Sequence, residues 1–183
     1  DGTNMSGKPS SVRRFGHNPS YIYRGIKADA WDGGHRVPFI ARWPGHIKPG
    51  SVSDETICHV DLMATCAAIL GYELPPNAGE DSYNILPALT GIKLDKPIRE
   101  ATVHHSGNGM FALRRRKWKL ILGRGSGGWS GRGKPEDPPV QLYDMSMDVS
   151  ERVNLCNEHP NIVEELTKLL QKYKAQGHSR PMS

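Results

Sequence analysis

A lysine lies just upstream of an acidic, glycine-rich bend near the start of the sequence. Residues 25–45 read GIKADAWDGGHRVPFIARWPG, so Lys27 precedes the run Asp32, Gly33 and Gly34. Adjacent glycines allow the backbone to turn sharply and to approach its neighbours closely, and a lysine ammonium is a compact point charge. The segment therefore predicts a turn that holds an anion. A solvated surface loop is the alternative, because exposed lysines are ordinary.

Length and composition indicate the kind of domain that must position this lysine. The 183 residues are 37% hydrophobic and 23% charged, with 20 glycines and 14 prolines, which is typical of a loop-rich α/β or α+β protein. No run approaches the roughly 18 apolar residues of a membrane span, and the first residues lack the pattern of a signal peptide. We expect no membrane partner. The first residues, DGTNMSGKPSSVRR, look like those of a chain that begins midway.

The net charge and the cysteines narrow the possible partners. The formal charge is +5, and basic residues cluster in RRFGH, LRRRKWK and GRGSGGWSGRG. Such clusters favour an anionic partner, either a nucleic acid or a phosphate, sulfate or carboxylate substrate. Cys58, Cys66 and Cys156 are scattered and odd in number, so they indicate neither a disulfide framework nor a zinc site. We expect them to be buried thiols.

Hydrophobic patterns predict two elements after the bend. The apolar run VPFIARWPG predicts a buried strand of a parallel sheet over residues 36–43. Residues 60–70 predict an amphipathic helix that ends before Gly71. The apolar face of this helix consists of Leu62, Met63, Cys66, Ile69 and Leu70.

The pattern of hydrophobic residues changes after residue 98. Short runs of β character predict a small antiparallel sheet there. A long flexible loop over residues 124–139 interrupts these runs, and such loops are either functional or simply solvated. Residues 160–175 predict a helix that packs on the sheet, because Pro160 suits a helix start and the apolar residues share one face.

Five motifs in one order resemble the type I sulfatases, the arylsulfatase-like members of the alkaline phosphatase superfamily. The first is the bend itself, which carries G-x-K, D-G-G-x-R-x-P and W-P-G. The last motif, LYDMSMDVSERVNL, resembles the closing signature of the family, L-Y-D-L-x-x-D-P-x-E-x-x-N-L, with Val149 where proline is usual. The four motifs after the bend are HVDLMAT with the following LG, DSYNILPALTG, FALRRRKWKL and LYDMSMDVSERVNL. The resemblance spans nearly the whole chain and covers the carboxy-terminal portion of the family.

The resemblance implies a fold in two parts. Residues 1–97 are expected to form the carboxy-terminal part of an alkaline-phosphatase-like α/β sandwich, which is the catalytic domain. Residues 98–183 are expected to form a small α+β subdomain, an antiparallel sheet packed on a carboxy-terminal helix. The family also implies a periplasmic or secreted location.

The resemblance further implies hydrolysis of sulfate esters, either aryl or carbohydrate. In this family a formylglycine hydrate attacks sulfur, while a divalent cation, usually calcium, and nearby cations stabilise charge on the sulfuryl oxygens. Lys27 matches the family lysine that contacts the sulfate group and its leaving oxygen, so it is the foremost catalytic and substrate-binding candidate. Asp32 and Arg36 are expected to brace the bend by pairing with neighbours.

Four other residues are candidate substrate contacts. His35 follows the bend and is expected either to face the pocket or to be half-buried at the start of a strand. His104, His105 and Asn108 adjoin a glycine turn. They are either ordinary loop residues or a pocket wall that touches the sugar or ring of the leaving group. The basic run over residues 114–117 predicts a solvated hairpin edge.

Several family residues are absent from the sequence. It contains no Cys/Ser-x-Pro-x-Arg motif, from whose first residue formylglycine is made, and it lacks the paired metal-binding aspartates of the family. The opening Asp1-Gly2 matches the end of an Asp-Asn-Gly turn, which makes Asp1 a candidate calcium ligand. The resemblance therefore implies a fragment whose partner is the missing amino-terminal part of the same enzyme. We predict that the chain alone has no sulfatase activity.

Two alternative functions stay open. A phosphatase or phosphonate hydrolase of the same superfamily would offer the lysine a similar tetrahedral oxyanion. A free-standing basic module would bind nucleic acid or another polyanion through the arginine and lysine clusters, and its affinity would fall steeply with salt. We expect a sulfate ester rather than a nucleic acid as the partner. The particular ester cannot be predicted, because selectivity lies in variable loops.

Overall fold

The computed structural model describes residues 15–181 of the chain. Its helices are α1 (Asp61–Ile69), α2 (Leu86–Thr90) and α3 (Pro160–Gln176). Its strands are β1 (Thr102–His105), β2 (Phe111–Arg115), β3 (Trp118–Ile121) and β4 (Gln141–Asp144). The acidic bend is a 3-10 turn, Asp32–Gly34. This order confirms the predicted mixed α/β character, with a small antiparallel sheet followed by a carboxy-terminal helix.

The sheet has the strand order β1-β2-β3-β4, and β3 pairs antiparallel with both β2 and β4. Successive side chains of a strand point to opposite faces. One face carries a buried leucine from each of three strands, namely Leu113, Leu120 and Leu142. On the other face, apolar residues pack in one cluster with Ala30 and Trp31, namely Ala112, Ile121 and Tyr143. The sheet therefore positions the segment that leads into the bend.

The described residues divide into two compact units. The first combines residues 15–37 with Val103–Lys168, and the second combines Pro38–Thr102 with residues 169–181. The bend, Lys27 and most of the sheet belong to the first unit. These units interleave along the chain and do not test where the catalytic domain ends, so the predicted boundary between residues 97 and 98 stays a prediction.

The predicted strand over residues 36–43 is wrong. This segment has no regular structure, and its apolar side chains face solvent, with Val37 53% and Ile40 91% exposed. A strand needs hydrogen bonds to a neighbouring strand. The part of the chain that the structure describes provides no strand beside this segment.

Helix α1 confirms the predicted helix, but its apolar face is exposed rather than buried. Met63 is 49% and Leu70 80% exposed, whereas the buried residues include Ala64 and Ala67. Buried polar contacts fix this orientation. The carboxylate of Asp61 accepts backbone N–H groups from residues 58 and 83 and pairs with a buried arginine of the same unit. Satisfying a buried charge thus decides which side of the helix faces inward.

The cysteines differ from the prediction, whereas the last helix agrees with it. Cys66 is exposed, and Cys58 and Cys156 are half-buried, so the expectation of buried thiols is wrong. The predicted carboxy-terminal helix is confirmed, with Leu166 and Leu170 buried. Within residues 15–181, no helix is both long enough and apolar enough to cross a bilayer.

Candidate substrate-binding site

The two glycines of the bend lie directly against the turn that carries Lys27. A β-carbon on Gly34 would lie 2.3 Å from the carbonyl oxygen of Asp29 and 2.9 Å from that of Ile26. A β-carbon on Gly33 would meet the backbone of residue 25 at 2.4 Å. Side chains cannot approach backbone atoms so closely, so glycine alone fits both positions. The predicted role of the double glycine, close backbone approach beside Lys27, therefore has a structural basis.

A buried charge cluster, Asp32, Lys119 and Glu151, holds the bend to the sheet. Nζ of Lys119 on β3 lies 2.7 Å from Oδ1 of Asp32 and 2.7 Å from Oε1 of Glu151. The other carboxylate oxygen of Glu151 accepts the backbone N–H of Asp32 at 2.6 Å. Lys119 and Glu151 are fully buried. Because a buried ion is tolerated only when paired, these three residues depend on one another.

Arginines surround this cluster. Oδ2 of Asp32 lies 3.4 Å from Arg36 and 3.5 Å from Arg114, and Arg24 donates a hydrogen bond to the carbonyl oxygen of Glu151 at 2.6 Å. The pairing of Asp32 with Arg36 confirms the predicted brace. Arg114 is partly buried against the bend, so the prediction of a solvated edge is wrong at this position.

The pKa values in the cluster show where the charges reside. Burial raises the pKa of Glu151, although Lys119 opposes that shift. Burial also acts to raise the pKa of Asp32, but Lys119, with Arg114 and Arg36, outweighs it and the pKa lies below its ordinary value. Asp32 therefore stays ionised, and the positive charge of Lys119 is used within the protein.

The buried carboxylate of Asp29 joins the turn of Lys27 to the glycine loop, residues 123–133. Oδ2 of Asp29 accepts the backbone N–H of Ile26 at 2.8 Å. Oδ1 accepts the N–H groups of Trp129 at 2.7 Å and Ser130 at 3.1 Å, and the Ser130 hydroxyl donates to Oδ2. One side chain thus fixes two segments that lie about 100 residues apart in the chain.

The side chain of Lys27 is exposed at the surface of the turn that Asp29 holds to the glycine loop. Among residues 15–181, no hydrogen bond or ion pair engages its ammonium group. The next residue, Ala28, has a φ of +74°, a conformation that a residue with a β-carbon adopts only where its surroundings impose it. The turn therefore presents a cation that is available to an external anion.

His35 and His104 contact each other, with ring centroids 4.1 Å apart. Nε2 of His104 lies 3.2 Å from the carbonyl oxygen of Ala30, a contact that requires a proton on Nε2. Burial, followed by the charge of Lys119, lowers the pKa of His35 to about 4 and that of His104 to about 3. Both rings are therefore neutral near pH 7, and neither supplies positive charge to a substrate.

Asn108 lines an open pocket of about 380 Å³ beside the glycine loop. Its N–H donates to the carbonyl oxygen of Gly127 at 3.1 Å, and the N–H of Gly107 donates to that of Ala28 at 2.7 Å. The structure thus brings Asn108 close to the turn of Lys27. His105 is exposed with Nδ1 2.9 Å from the carbonyl oxygen of its neighbour, and it does not line this pocket.

The predicted calcium site cannot be built from the residues that the structure describes. Asp1 lies outside the described residues, and residues 15–181 contain no group of three histidine, cysteine or acidic side chains that could hold a metal ion. Calcium prefers six or more oxygen ligands. The side chains of residues 15–181 therefore do not by themselves fit a calcium ion.

Sequence reasoning missed Asp29, Lys119, and the pocket residues Arg124 and Arg132. Lys119 had a usable signal: with a period of two it shares a strand face with Ile121, and a lysine on an apolar face requires a buried counter-ion. The pocket arginines lie in the loop predicted to be functional or solvated. Nothing in the local sequence marks Asp29, because its partners at 129 and 130 are distant in the chain.

Comparisons with known proteins give one family. Residues 9–72 match the family model described as Sulfatase. An N-acetylgalactosamine-6-O-sulfatase of Bacteroides thetaiotaomicron is 37% identical over 165 residues, covering 88% of this chain and 32% of the relative. Human arylsulfatase A is 32% identical over 188 residues, covering 92% of this chain and 36% of the relative. The chain thus spans about a third of the length of these relatives.

Solved structures agree with the sequence comparisons. A Bacteroides thetaiotaomicron 6S-sulf protein, described in connection with the metabolism of multiple glycosaminoglycans, superposes with a TM-score of 0.78 at 36% identity. The match covers 91% of this chain and 35% of that one. The PsFucS1 sulfatase of a Pseudoalteromonas species has a TM-score of 0.68 at 22% identity, covering 88% of this chain and 34% of its own, and it supports the fold alone.

Proposed function

Because the chain belongs to the sulfatase family, we propose that it is the carboxy-terminal part of an enzyme that hydrolyses sulfate esters. Its role in that enzyme is to bind and orient the ester through Lys27 and to supply one wall of the substrate pocket. A periplasmic or secreted location and the absence of turnover by this chain alone are parts of the same proposal. The names of these relatives, an N-acetylgalactosamine-6-O-sulfatase and an arylsulfatase, support sulfate esters as the substrate class.

One observation carries the proposal: Lys27 is a cation without a partner among residues 15–181, on a turn that is fixed on both sides. Gly33 and Gly34 pack against this turn, and Asp29 ties it to the glycine loop. Hydrolysis of a sulfate ester places negative charge on the sulfuryl and leaving oxygens. A preorganised cation stabilises such charge more than water does, because it needs no reorganisation during the reaction.

The internal pairing of other cations speaks against a general polyanion-binding module. Many basic side chains of residues 15–181, including four in the predicted cluster LRRRKWK, already have partners within the protein, so they do not form an open basic track. The paired or stacked side chains are those of Arg24, Arg36, Arg99, Arg114, Arg115, Lys117 and Lys119. Lys27 stands apart from this set because its ammonium group is exposed and unengaged among the described residues.

Formylglycine and calcium belong to the proposal only through the family. Formylglycine would supply the nucleophile, and calcium would neutralise sulfate oxygens. The described residues contain no cluster fit for the metal. Their own contribution is therefore the binding and positioning of the substrate.

Replacing Lys27 with alanine in the full-length enzyme tests the proposal. Loss of one preorganised charge-stabilising group lowers kcat by about a hundredfold to a thousandfold. Turnover of 4-nitrophenyl sulfate and of 4-nitrophenyl phosphate should be measured for the parent and for Lys27→Ala. Lys48→Ala is the matched control, because Lys48 is also exposed on a turn.

The expected result is a large loss of sulfate ester hydrolysis in Lys27→Ala and none in Lys48→Ala. Preferential hydrolysis of the phosphate ester by the parent would instead identify a phosphatase of the same superfamily. Equal activities of Lys27→Ala and Lys48→Ala on the sulfate ester would reject the role of Lys27.

A further inference from the structure

We propose that the glycine loop and the pocket beside it form a subsite for an anionic saccharide that carries the sulfate ester. The inference rests on the proposed function, because a sulfate group held by Lys27 would fix where the saccharide begins. In this proposal the leaving group of the sulfate ester is a sugar rather than an aryl group.

The glycine loop is an ordered platform despite its composition. The hydroxyl oxygen of Ser126 accepts the N–H of Gly128 at 3.0 Å. The side-chain amide of Gln141 on β4 donates to the carbonyl oxygens of Gly123 at 2.7 Å and Gly125 at 2.9 Å. These side chains satisfy backbone groups that would otherwise bind water. The loop therefore holds a defined surface, in contrast to the flexibility predicted from its glycines.

The platform adjoins the turn of Lys27 through a close backbone contact. A β-carbon on Gly128 would lie 2.2 Å from the carbonyl oxygen of Ala28, so a larger residue at that position would separate loop and turn. The same carbonyl oxygen accepts the N–H of Gly107 at 2.7 Å. The residue next to Lys27 is therefore surrounded by the loop and by the turn that carries Asn108.

Trp129 offers a flat apolar surface on this loop. Its side chain is 55% exposed, although its backbone N–H is fixed by the buried carboxylate of Asp29 at 2.7 Å. Trp31, in contrast, is 5% exposed and lies in the core. An exposed tryptophan on a fixed backbone is typical of binding surfaces. The C–H faces of a sugar ring pack well on such an indole.

The pocket beside the loop supplies charge and hydrogen bonds. Its lining includes the guanidinium-bearing Arg124 and Arg132 and the amide of Asn108, with Met110 and Leu122 as apolar residues. Nε of Arg124 donates to the carbonyl oxygen of residue 137 at 2.6 Å, which orients that side chain. Guanidinium groups match carboxylates and sulfates in a bidentate manner. The lining thus suits a sugar that bears a carboxylate or a second sulfate.

A nucleic acid fits this arrangement less well than a saccharide. Binding of a single strand needs a basic groove that follows several phosphates. The arginines outside the pocket are largely paired within the protein, and the pocket of about 380 Å³ has room for a unit of monosaccharide to disaccharide size.

The test compares two substrates in the full-length enzyme and in its Trp129→Ala and Arg132→Ala variants. The substrates are 4-nitrophenyl sulfate and a disaccharide of glucuronate and 6-O-sulfated N-acetylgalactosamine. Each variant should raise KM for the disaccharide by about tenfold or more, with kcat changed by less than about twofold. Hydrolysis of 4-nitrophenyl sulfate should be unchanged. Arg152→Ala is the control, since Arg152 is an exposed arginine in the same unit.

Equilibrium binding of the same disaccharide, measured by calorimetry, separates this inference from the proposed function. If the enzyme hydrolyses neither ester but Arg132→Ala loses disaccharide binding, the subsite stands and the proposed reaction fails. Equal losses on both substrates would overturn the subsite, because they would show that the loop only supports Lys27. Unchanged disaccharide binding in both variants, or equally tight binding of a single-stranded oligonucleotide at the pocket, would also overturn it.

Discussion

Two lysines of the same unit are used in opposite ways. Lys119 on β3 is fully buried between Asp32 and Glu151, with both ion pairs at 2.7 Å. Lys27, on the turn above the double glycine, is exposed and has no partner among residues 15–181. The ammonium group of Lys119 therefore pairs within the buried charge cluster and holds the bend, whereas the ammonium group of Lys27 is exposed and available to an external anion.

This difference shows how a rigid site can present an unpaired cation. A free lysine has considerable rotamer freedom, so its backbone must be held by other residues. Here glycine packing, the Asp29 carboxylate and the buried charge cluster all act on the segment from residue 25 to residue 36. We therefore propose that stability and substrate binding depend on different lysines, whose substitution should affect different properties.

The largest expected effect follows substitution of Lys119 with methionine. Removing one partner of a buried ion pair leaves uncompensated charge and costs about 3–5 kcal/mol of unfolding free energy. The same substitution at Lys27 should change the unfolding free energy by less than about 0.5 kcal/mol, as is usual at exposed sites. Urea unfolding followed by tryptophan fluorescence measures both.

A second substitution sharpens this contrast. Glu151→Gln added to Lys119→Met should restore part of the lost stability, because it removes the carboxylate that the loss of Lys119 leaves without an ion-pair partner among residues 15–181. Asp32 keeps its pairs with Arg36 and Arg114. If Lys119→Met and Lys27→Met were equally stable, the distinction between a structural and a binding lysine would be wrong.

A smaller effect is expected from pH. Burial, followed by Lys119, lowers the pKa of His104 to about 3, from an ordinary value of 6.5. The unfolded state therefore binds more protons than the folded state below about pH 6.5, and stability is lost as the pH falls. For His104 alone, the loss between pH 7.5 and pH 5 is about 2 kcal/mol.

His104→Gln checks this pH dependence. Glutamine does not titrate and keeps an N–H donor for the carbonyl oxygen of Ala30. Urea unfolding at pH 7.5 and pH 5 should show a smaller difference for the variant than for the parent. An unchanged difference would mean that the His35 and His104 pair is protonated in the folded protein.

The sequence predicted those parts of the fold that depend on local properties of the chain. The small sheet, α1, α3 and the turn of Lys27 followed from local patterns, because periodicity and glycine chemistry are local properties. The segment over residues 36–43 was apolar in the way of a buried strand, but strand formation depends on a neighbour, and pattern alone does not supply one. The exposed apolar face of α1 has a different cause, because the buried contacts of Asp61, and not the leucines, fix the orientation of this helix.

The sequence likewise predicted the site residues that lie on local turns, but not those that depend on contacts between distant segments. Lys27 and Asn108 lie on local turns whose residue types suggest binding, and the two turns contact each other through the hydrogen bond from the N–H of Gly107 to the carbonyl oxygen of Ala28. His35 and His104 turned out to contact each other, which no spacing of 69 residues could indicate. Asp29 contacts Trp129 and Ser130 across about 100 residues of chain, so local patterns could not relate the glycine loop to the turn of Lys27.

The most direct test of the role of Lys27 is chemical rescue of Lys27→Ala in the full-length enzyme. If an ammonium group at this place stabilises the sulfate oxygens, added propylammonium should restore 4-nitrophenyl sulfate hydrolysis by about tenfold in a saturable manner. The parent and Lys48→Ala should not respond. A Lys27→Ala enzyme that keeps parental activity without added amine would contradict the account.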